Sequence, residues 1–574
     1  MTGTRWIDRS VSRGLRLPAP TTGYRVHRGL PVPMRDGVTL RADHYAPDTD
    51  RPLGTILVRG PYGRAFPFSI IYARVYAARG YHVVFQSVRG TFGSGGEFVP
   101  MVHEAVDAAD TVAWLREQPW FTGTFGTIGL SYLGFTQWAL LADPPPELVA
   151  AVVTVGPHDL HMSSWGSGAF ALNDFLSWSD MVAKQETSSL NRLAFQLRAR
   201  RRLTDAVSGV PLGEAGRSLL GHGSPWFESW VEHPDADDPF WERMRMTAAL
   251  DKCAVPVLLL SGWQDVFVDQ TIAQYRQLRD RGVDVAMTIG PWTHEQMMTK
   301  AASSTAMESL EWLGAHLAGN AGGQERSDSG IEPGGQERSD SGIEPVPPRA
   351  NPVRVYVTGR SRPGWVGLPD WPPATGEQLF HLHPGGRLGA EAPQPAAPPS
   401  VFRFDPAHPT PTVGGRLLTR DSGYREDTGL ALRDDVLSFT SAALQAPLCV
   451  CGNPVVELAY ETDNPHFDVF VRLSEVDAQG RSRNVSDGYG RFSSAPDGKI
   501  RLELDAVAHR FSTGSRLRVL VAGGCHPRFD RNLGTGEPAI TGRTMRPSTH
   551  TVRHGDYSTL TLPVGEPGGV VSGV

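Results

Sequence analysis

The stretch Phe125-Gly126-Thr127-Ile128-Gly129-Leu130-Ser131-Tyr132-Leu133-Gly134 decides the fold of this chain of 574 residues. It begins as a short apolar strand, passes through a sharp turn that holds one serine, and continues as a helix. Such a turn exposes the serine hydroxyl and needs small neighbours, which Gly129 and Gly134 provide. The pattern Gly-x-Ser-x-x-Gly is that of a nucleophile elbow with one extra residue. A strand-to-helix turn with an N-capping serine would give the same bare pattern.

The composition is that of a globular protein, with 40% hydrophobic and 20% charged residues. A length of 574 residues indicates about three or four domains. The net charge of -6 gives no reason to expect nucleic acid or an anionic membrane as a partner. No apolar run approaches the ~20 residues that span a bilayer, and the arginine-rich N-terminus lacks the apolar core of a secretory signal.

The cysteine pattern predicts buried free thiols in a reducing cytosol, and therefore a cytoplasmic protein. The four cysteines lack the spacing of zinc ligands, and a Cys-Val-Cys run is a poor disulfide pair; they are Cys253, Cys449, Cys451 and Cys525. We predict no metal site and no cofactor.

Around the elbow, the chain alternates continuous apolar runs with helical segments. This rhythm predicts a parallel α/β sheet covered by helices on both faces. We assign residues 1–21 to a flexible N-terminal tail, and residues 22–156 and 247–320 to the two parts of the α/β domain. The apolar runs lie at residues 55–58, 81–85, 148–155, 255–261 and 285–289.

Residues 157–246 interrupt the alternation with a segment rich in tryptophan, phenylalanine and helix formers. An insertion of this kind after a strand's carboxyl end indicates a helical cap over the site, although it could equally be a second small core.

Residues 321–350 are interpreted as a low-complexity linker, because Gly322–Pro333 recurs unchanged as Gly334–Pro345. From residue 351 to residue 574 the sequence pattern becomes that of short β-strands. Apolar residues alternate with polar ones in Asp468–Val476 and in Arg516–Val521, which predicts a jelly-roll β-sandwich.

A serine hydroxyl becomes a nucleophile when a base takes its proton, and the base needs a carboxylate to fix its tautomer. In a fold of strands and crossover helices with a nucleophile elbow, these partners follow in the order Ser, Asp or Glu, His, each just after a strand. Asp265 follows the run 255–260, and His294 follows the run 285–289. A lone Asp or His in such a loop is usually solvated, but the order and placement predict a triad of Ser131, Asp265 and His294.

The anionic intermediate of such a reaction needs hydrogen-bond donors. One is expected from the backbone N–H of Tyr132, the residue after the nucleophile. The other must come from the loop after an early strand, where the phenol of Tyr62 could supply it. The alternative is that Tyr62 is an ordinary turn aromatic after Pro61.

Six stretches together resemble the CocE/NonD hydrolases, the cocaine-esterase-like branch of the serine peptidases that includes Xaa-Pro dipeptidyl-peptidases and α-amino-acid ester hydrolases. They are Arg59-Gly60-Pro61-Tyr62, Arg89-Gly90-Thr91-Phe92-Gly93-Ser94-Gly95-Gly96-Glu97-Phe98, Gly129-Leu130-Ser131-Tyr132-Leu133-Gly134, Gly262-Trp263-Gln264-Asp265, Gly290-Pro291-Trp292-Thr293-His294 and His526-Pro527-Arg528-Phe529-Asp530-Arg531-Asn532. The resemblance implies an α/β-hydrolase domain with an inserted helical cap and a C-terminal jelly roll that completes the substrate cleft. By fold alone, the last domain could be a carbohydrate-binding module.

The same resemblance implies Ser131 as nucleophile, Asp265 and His294 as its partners, and Tyr62 with the Tyr132 amide as oxyanion hole. It also places Trp165 and Trp178 where the cocaine-esterase-like enzymes hold the acyl group.

The chain departs from the family at two places. Ser87 stands where the family has an acidic partner for Arg89, which affects local packing. Phe267 and Val268 stand where the α-amino-acid ester hydrolases carry acidic residues that bind the substrate's ammonium group. Phe267 therefore predicts an apolar acyl pocket, while three carboxylates remain without an assigned role: Glu97, Asp159 and Asp174.

We therefore expect a serine hydrolase that cleaves small-molecule esters, or amides, through an acyl-enzyme. The alternative is an Xaa-Pro dipeptidyl-peptidase or α-amino acyl hydrolase, and a weaker alternative is a non-catalytic binding protein on a hydrolase scaffold. The resemblance is compatible with a homodimer.

Overall fold

The architecture was analysed on a computed structural model of the chain. The structure describes residues 2–186, 201–318, 350–394, 397–494, 498–555 and 557–566. The tandem copy at residues 322–345 lies outside these ranges. Within them, no helix combines the length and the apolar character needed to cross a bilayer.

A mixed sheet forms the centre of the part of the chain that carries the predicted triad, which is called the catalytic half below. Its neighbours run in the order β1-β2-β4-β3-β5-β6-β7-β8-β9-β10, parallel from β4 to β9 and antiparallel elsewhere. The strands are β1 Tyr24–Pro33, β2 Thr39–Pro47, β3 Thr55–Gly60, β4 His82–Ser87, β5 Phe125–Leu130, β6 Leu148–Thr154, β7 Val257–Gln264, β8 Val285–Thr293, β9 Val353–Gly359 and β10 Gly364–Leu368.

Helices cover both faces of this sheet, which is why its parallel strands are largely apolar and direct apolar side chains to both faces. On β3, Leu57 joins the core under the elbow helix, while Ile56 and Val58 join the core on the opposite face. The helices are α1 Thr2–Gly14, α2 Val75–Ala77 after a π-turn Ile70–Arg74, α3 Glu104–Arg116, α4 Tyr132–Leu141, α5 Leu160–Trp165, α6 Leu172–Lys184, α7 described over 201–208, α8 Leu212–Leu220, α9 Trp226–Glu232, α10 Thr247–Lys252, α11 Val268–Asp280 and α12 Ala302–His316. Two 3-10 turns add Pro239–Met244 and Glu295–Met298.

The N-terminal segment differs from the predicted flexible tail, because α1 docks on the catalytic half. Asp8 is buried and accepts hydrogen bonds from Arg74 at 3.0 Å and from the Tyr24 hydroxyl at 3.2 Å. Arg79 donates to the Ser12 hydroxyl at 3.0 Å. These contacts join residues distant in sequence, which the local composition of the segment does not reveal.

The insertion after β6 forms a layer of short helices over the elbow. Its aromatic side chains pack on one another and on the catalytic core, as shown by ring centroids 5.2 Å apart for Trp165 and Phe170 and 5.4 Å apart for Phe175 and Trp230. The aromatic side chains of this layer belong to the same apolar cluster as the core under the elbow helix, so the segment is a cap and does not form a second core of its own.

The C-terminal half is a β-rich domain with its own apolar core. The predicted strands at 468–476 and 516–521 correspond to β17 and β21, which pair with each other. The strands are β11 Gly376–His383, β12 Arg387–Gly389, β13 Ser400–Phe404, β14 Val436–Ser441, β15 Leu448–Gly452, β16 Val455–Thr462, β17 Phe467–Val476, β18 Ser482–Phe492, β19 Lys499–Glu503, β20 Val507–Phe511, β21 Arg516–Ala522, β22 Ser548–Arg553 and β23 Thr559–Val564.

The boundary between the halves differs from the predicted start of the β domain at residue 351. Strand β9 pairs in parallel with β8, with Val353 opposite Met287 and Val355 opposite Ile289. The end of β9 also pairs with β20, where Thr358 lies opposite His509. Residues 353–368 thus complete the catalytic sheet. A buried apolar strand looks the same in either kind of sheet, so the sequence did not separate them.

Candidate active site

The elbow places Ser131 in a strained backbone conformation between β5 and α4. Its φ of 57° and ψ of -122° lie in a region that non-glycine residues rarely adopt. The Ser131 N–H donates to the carbonyl of Thr154 on the neighbouring strand at 2.9 Å. The turn is therefore held from β6, and the serine side chain stays partly exposed.

Glycine is required at two positions around Ser131, because a larger residue would not fit there. A Cβ on Gly129 would lie 2.4 Å from the Cβ of Leu133, and one on Gly134 would lie 2.5 Å from the Cα of Gly156. Both distances are far below van der Waals contact. The sequence argument for small residues at these two positions is thus confirmed by the packing of helix against strand.

Asp265 and His294 lie together, each directly after a parallel strand. His294 Nδ1 is 2.6 Å from Asp265 Oδ2, and Asp265 is completely buried. The other carboxylate oxygen, Oδ1, accepts the N–H of Phe267 at 2.8 Å. The carboxylate therefore fixes the imidazole ring through Nδ1, which leaves Nε2 as the nitrogen available for proton transfer.

Tyr62 lies beside the elbow in the loop after β3. Its oxygen accepts the indole N–H of Trp178 at 3.0 Å, and the side chain of Ser131 also interacts with the phenol. Burial raises the pKa of the Tyr62 phenol above its usual value, against the opposing effects of Trp178 and Ser131. The phenol therefore carries its proton at neutral pH.

Tyr132 is fixed by a buried polar network that sequence analysis missed. Its hydroxyl donates to Glu104 Oε1 at 2.8 Å and accepts the N–H of Met101 at 2.7 Å. Glu104 in turn pairs with Arg59, whose Nη2 lies 3.1 Å from Oε2, and both side chains are buried. Because this network holds the first residue of α4, it also holds the backbone N–H beside Ser131. Arg59 belongs to one of the six stretches that carry the family resemblance, so the sequence did contain a signal for this network.

A cavity with about 510 Å³ of empty space opens beside Ser131. Most of its lining is apolar and aromatic. The lining residues are Tyr62, Met101, Ser131, Tyr132, Pro157, Leu160, Ser163, Asp174, Phe175, Trp178, Trp230, Val266, Phe267 and Leu418.

Among the predicted pocket residues, Trp178 and Phe267 line this cavity, but Trp165 does not. The Trp165 indole lies behind the wall, where its N–H donates to the carbonyl of Trp230 at 2.8 Å. Trp230 and Phe175 occupy the wall instead. The prediction that Trp165 contacts the acyl group is therefore not met. Trp165 instead supports Trp230, which lines the cavity.

The missing acidic partner of Arg89 is supplied from elsewhere in the chain. Arg89 donates to Asp107 on α3 at 2.6 and 3.1 Å, and to Asp36 in the β1–β2 turn at 2.7 Å. Ser87 instead accepts a hydrogen bond from Arg64. The departure from the family pattern thus changes the partner of Arg89 and leaves its side chain paired.

The β-rich domain reaches the site through Arg416 and Leu418. Arg416 is buried and donates to both carboxylate oxygens of Asp269 at 2.7 Å and to the carbonyl of Trp263 at 3.2 Å. It also pairs with Asp505 at 2.9 Å. Trp263 and Asp269 flank Asp265, so this arginine ties the loop that carries Asp265 to the second domain.

Replacing Arg416 by methionine is expected to lower the free energy of unfolding by about 3–5 kcal/mol, because the largely buried carboxylate of Asp505 would lose the cation 2.9 Å away, whereas the exposed Asp269 would be hydrated. The loss is measured by urea denaturation. As a control, Arg481→Met removes a surface pair with Asp477 and should cost less than about 1 kcal/mol. Equal losses in the two variants would contradict the assigned role of Arg416.

Comparisons with known proteins support the family and the fold. Residues 36–296 match the family model described as X-Pro dipeptidyl-peptidase (S15 family), and residues 348–561 match that of the X-Pro dipeptidyl-peptidase C-terminal non-catalytic domain. The chain is 29% identical over 562 residues to the cocaine esterase of Rhodococcus sp. (strain MB1 Bresler), covering 89% of this chain and 93% of that protein.

Two solved structures share the fold over nearly the whole chain. One is an aminopeptidase from a marine sediment Thaumarchaeota archaeon, with a TM-score of 0.76 and 22% identity over 96% of this chain and 98% of that one. The other is an α-amino acid ester hydrolase, with a TM-score of 0.75, 24% identity and the same coverage. The predicted fold, an α/β-hydrolase domain followed by a β-rich C-terminal domain, is thereby confirmed.

Proposed function

Since the chain belongs to the S15 family of serine hydrolases and carries both its catalytic and its C-terminal domain, we propose that it cleaves carboxylic esters through an acyl-enzyme on Ser131. The observation that carries this proposal is the apolar cavity that Ser131 lines, together with the pairing of His294 with Asp265.

In this mechanism, His294 takes the proton of Ser131 as the hydroxyl attacks the ester carbonyl. Asp265 holds the imidazole in the tautomer that presents Nε2 and stabilises the imidazolium that forms. The Tyr62 phenol and the Tyr132 amide donate to the developing oxyanion. His294 then gives its proton to the leaving alcohol, and the same residue activates the water that releases the acid.

The acyl group is proposed to be aromatic or otherwise apolar. Trp178, Trp230 and Phe267 present ring surfaces to the cavity, and such surfaces favour a flat apolar group over a charged one. Amides are a secondary substrate class, because their leaving group is poorer.

The test combines a probe with a pair of substrates. A fluorophosphonate should label the protein, and peptide mass mapping should locate the adduct on Ser131. The protein should hydrolyse p-nitrophenyl benzoate and leave Ala-Pro-p-nitroanilide intact. Anilide turnover at a comparable rate would contradict the ester proposal, and the absence of both an adduct and turnover would favour a binding protein on a hydrolase scaffold.

One observation favours a second candidate, an α-amino acyl hydrolase or Xaa-Pro dipeptidyl-peptidase. Asp174 is buried in the wall of the cavity, and its Oδ1 accepts the N–H of Leu418 at 2.8 Å and the amide of Asn173 at 3.1 Å. Among the described residues, no donor is bonded to Oδ2. A buried carboxylate with one open oxygen could receive a substrate ammonium group.

The ionisation of Asp174 makes this candidate dependent on pH. Burial raises the pKa of Asp174 to about 6, although hydrogen bonds from Leu418 and Asn173 and the charges of Arg528 and His294 act in the opposite direction. The group is therefore a carboxylate above about pH 6 and neutral below it. If it binds an ammonium group, KM for amino acyl esters should rise as the pH falls through 6, while KM for benzoyl esters should lack this step.

Asp174→Asn separates the two candidates directly. For a phenylalanine ester with a free amine, KM should rise roughly 10–100-fold, since a charge-assisted hydrogen bond contributes about 1.5–3 kcal/mol. For p-nitrophenyl benzoate, KM should change little. Asp180→Asn, on the same helix but bonded to Lys184, is the control. An unchanged KM for the amino ester would remove the support that Asp174 gives to the second candidate.

A further inference from the structure

The hydrogen bond between Trp178 and Tyr62 links the cap to the catalytic sheet. Trp178 lies on α6 of the cap, and Tyr62 lies in the loop after β3, with 3.0 Å between the indole nitrogen and the phenol oxygen. A second contact joins the same two elements, because the Gln185 side chain after α6 donates to the carbonyl of Pro61 at 3.0 Å. The loop that carries the phenol is thus bonded to the cap at two successive residues, Pro61 and Tyr62.

The chemistry of the two side chains gives this hydrogen bond a direction. An indole N–H can donate and cannot accept, whereas a phenol has one proton and can accept as well. Trp178 therefore occupies an acceptor position on the Tyr62 oxygen and cannot receive the Tyr62 proton. The Ser131 side chain also interacts with the phenol. The phenol proton of Tyr62 can therefore point toward Ser131 and the space beside it.

Both rings are held in place by their neighbours. The Trp178 ring lies parallel to that of Tyr132 within 7°, with 6.2 Å between centroids, and 5.9 Å from that of Trp230. The Tyr62 ring stacks on Phe68 with centroids 5.4 Å apart. A donor held in this way needs little reorganisation when charge develops on the substrate oxygen.

We propose that Trp178 is a positioning residue that directs the Tyr62 proton into the oxyanion hole, in addition to lining the acyl pocket. This inference rests on the proposed acylation of Ser131, because it concerns the donor for that step. It predicts that deleting the indole N–H lowers kcat through Tyr62, whereas loss of ring surface alone would act mainly on KM.

A double-mutant cycle tests this coupling. Tyr62→Phe should lower kcat for p-nitrophenyl benzoate by about 10²–10³-fold, the usual effect of losing one oxyanion donor. Trp178→Phe keeps an aromatic ring and removes the N–H, and it should lower kcat by about five- to tenfold, the effect of one neutral hydrogen bond. In the Tyr62→Phe background, the same Trp178→Phe change should alter kcat by less than about twofold.

Phe175→Leu serves as the matched control, because Phe175 lines the same cavity and its ring packs on Phe170 and Trp230. Its effect should be equal with and without the Tyr62 hydroxyl. The inference is overturned if Trp178→Phe lowers kcat by the same factor in both backgrounds, or if it changes only KM. Fluorophosphonate labelling of each variant separates a failure of the role of Trp178 from a failure of the proposed function. Labelling of Ser131 with an additive cycle contradicts only the role of Trp178, whereas absence of labelling in the unmodified protein contradicts the proposed function itself.

Discussion

Replacing Ser131 by alanine is expected to lower kcat for ester hydrolysis by roughly 10⁴–10⁶-fold, as removal of a triad nucleophile does elsewhere. The reason is structural, since the strained elbow presents this hydroxyl beside Tyr62 and at the mouth of the apolar cavity. Alanine fits the same backbone without adding volume, so the thermal unfolding temperature should change little. The rate is measured with p-nitrophenyl benzoate under saturating conditions.

A buried serine outside the site provides the control for this variant. Ser309 on α12 bonds to the carbonyl of Thr305 within its own helix, and Ser309→Ala should retain activity within about twofold. If Ser131→Ala kept more than a hundredth of the activity, a different nucleophile would have to be sought. Loss of folding in the variant, seen by circular dichroism, would show instead that Ser131 supports the elbow.

Replacing Asp265 by asparagine is expected to lower kcat by about 10⁴-fold, although the shape of the side chain is kept. The carboxylate now meets His294 Nδ1 at 2.6 Å and the N–H of Phe267 at 2.8 Å. An amide can accept the Phe267 N–H with its oxygen, but it then turns its NH₂ group toward Nδ1. The ring would take the opposite tautomer, with its proton on Nε2, and could no longer accept the proton of Ser131.

The rate of fluorophosphonate labelling should fall together with kcat in Asp265→Asn, because both depend on proton removal from Ser131. Asp280→Asn, at the exposed end of α11, is the matched control and should behave as the unmodified protein does. Retention of more than a tenth of the activity in Asp265→Asn would mean that His294 is oriented by another group.

The three residues of the predicted triad share one property, which is that each follows directly after a strand. Ser131, Asp265 and His294 follow β5, β7 and β8, and parallel strands bring their carboxyl ends to one edge of the sheet. For Asp265 and His294, order along the chain translated into direct contact. Local composition was enough to predict these positions, because apolar runs and flanking glycines mark the ends of the strands.

The cavity wall was predictable only in part, because it depends on how separate elements pack. Trp165 and Trp230 are both cap tryptophans, and only the tilt of their helices decides which one faces the cavity. Asp174 and Leu418 meet across 244 residues of chain. Arg416 approaches Asp269 in the same way, and such long-range contacts leave no periodicity in the sequence.

The strand β9 has a consequence for the synthesis of the protein on the ribosome. Until residues 353–359 have emerged, β8 is the outer strand of the catalytic sheet, with an apolar and unpaired edge. Open edges of this kind recruit other strands and promote aggregation. The nascent chain therefore passes through an interval in which it holds every residue of the proposed triad but lacks the strand that closes its sheet, and this interval is where binding by a chaperone would matter most.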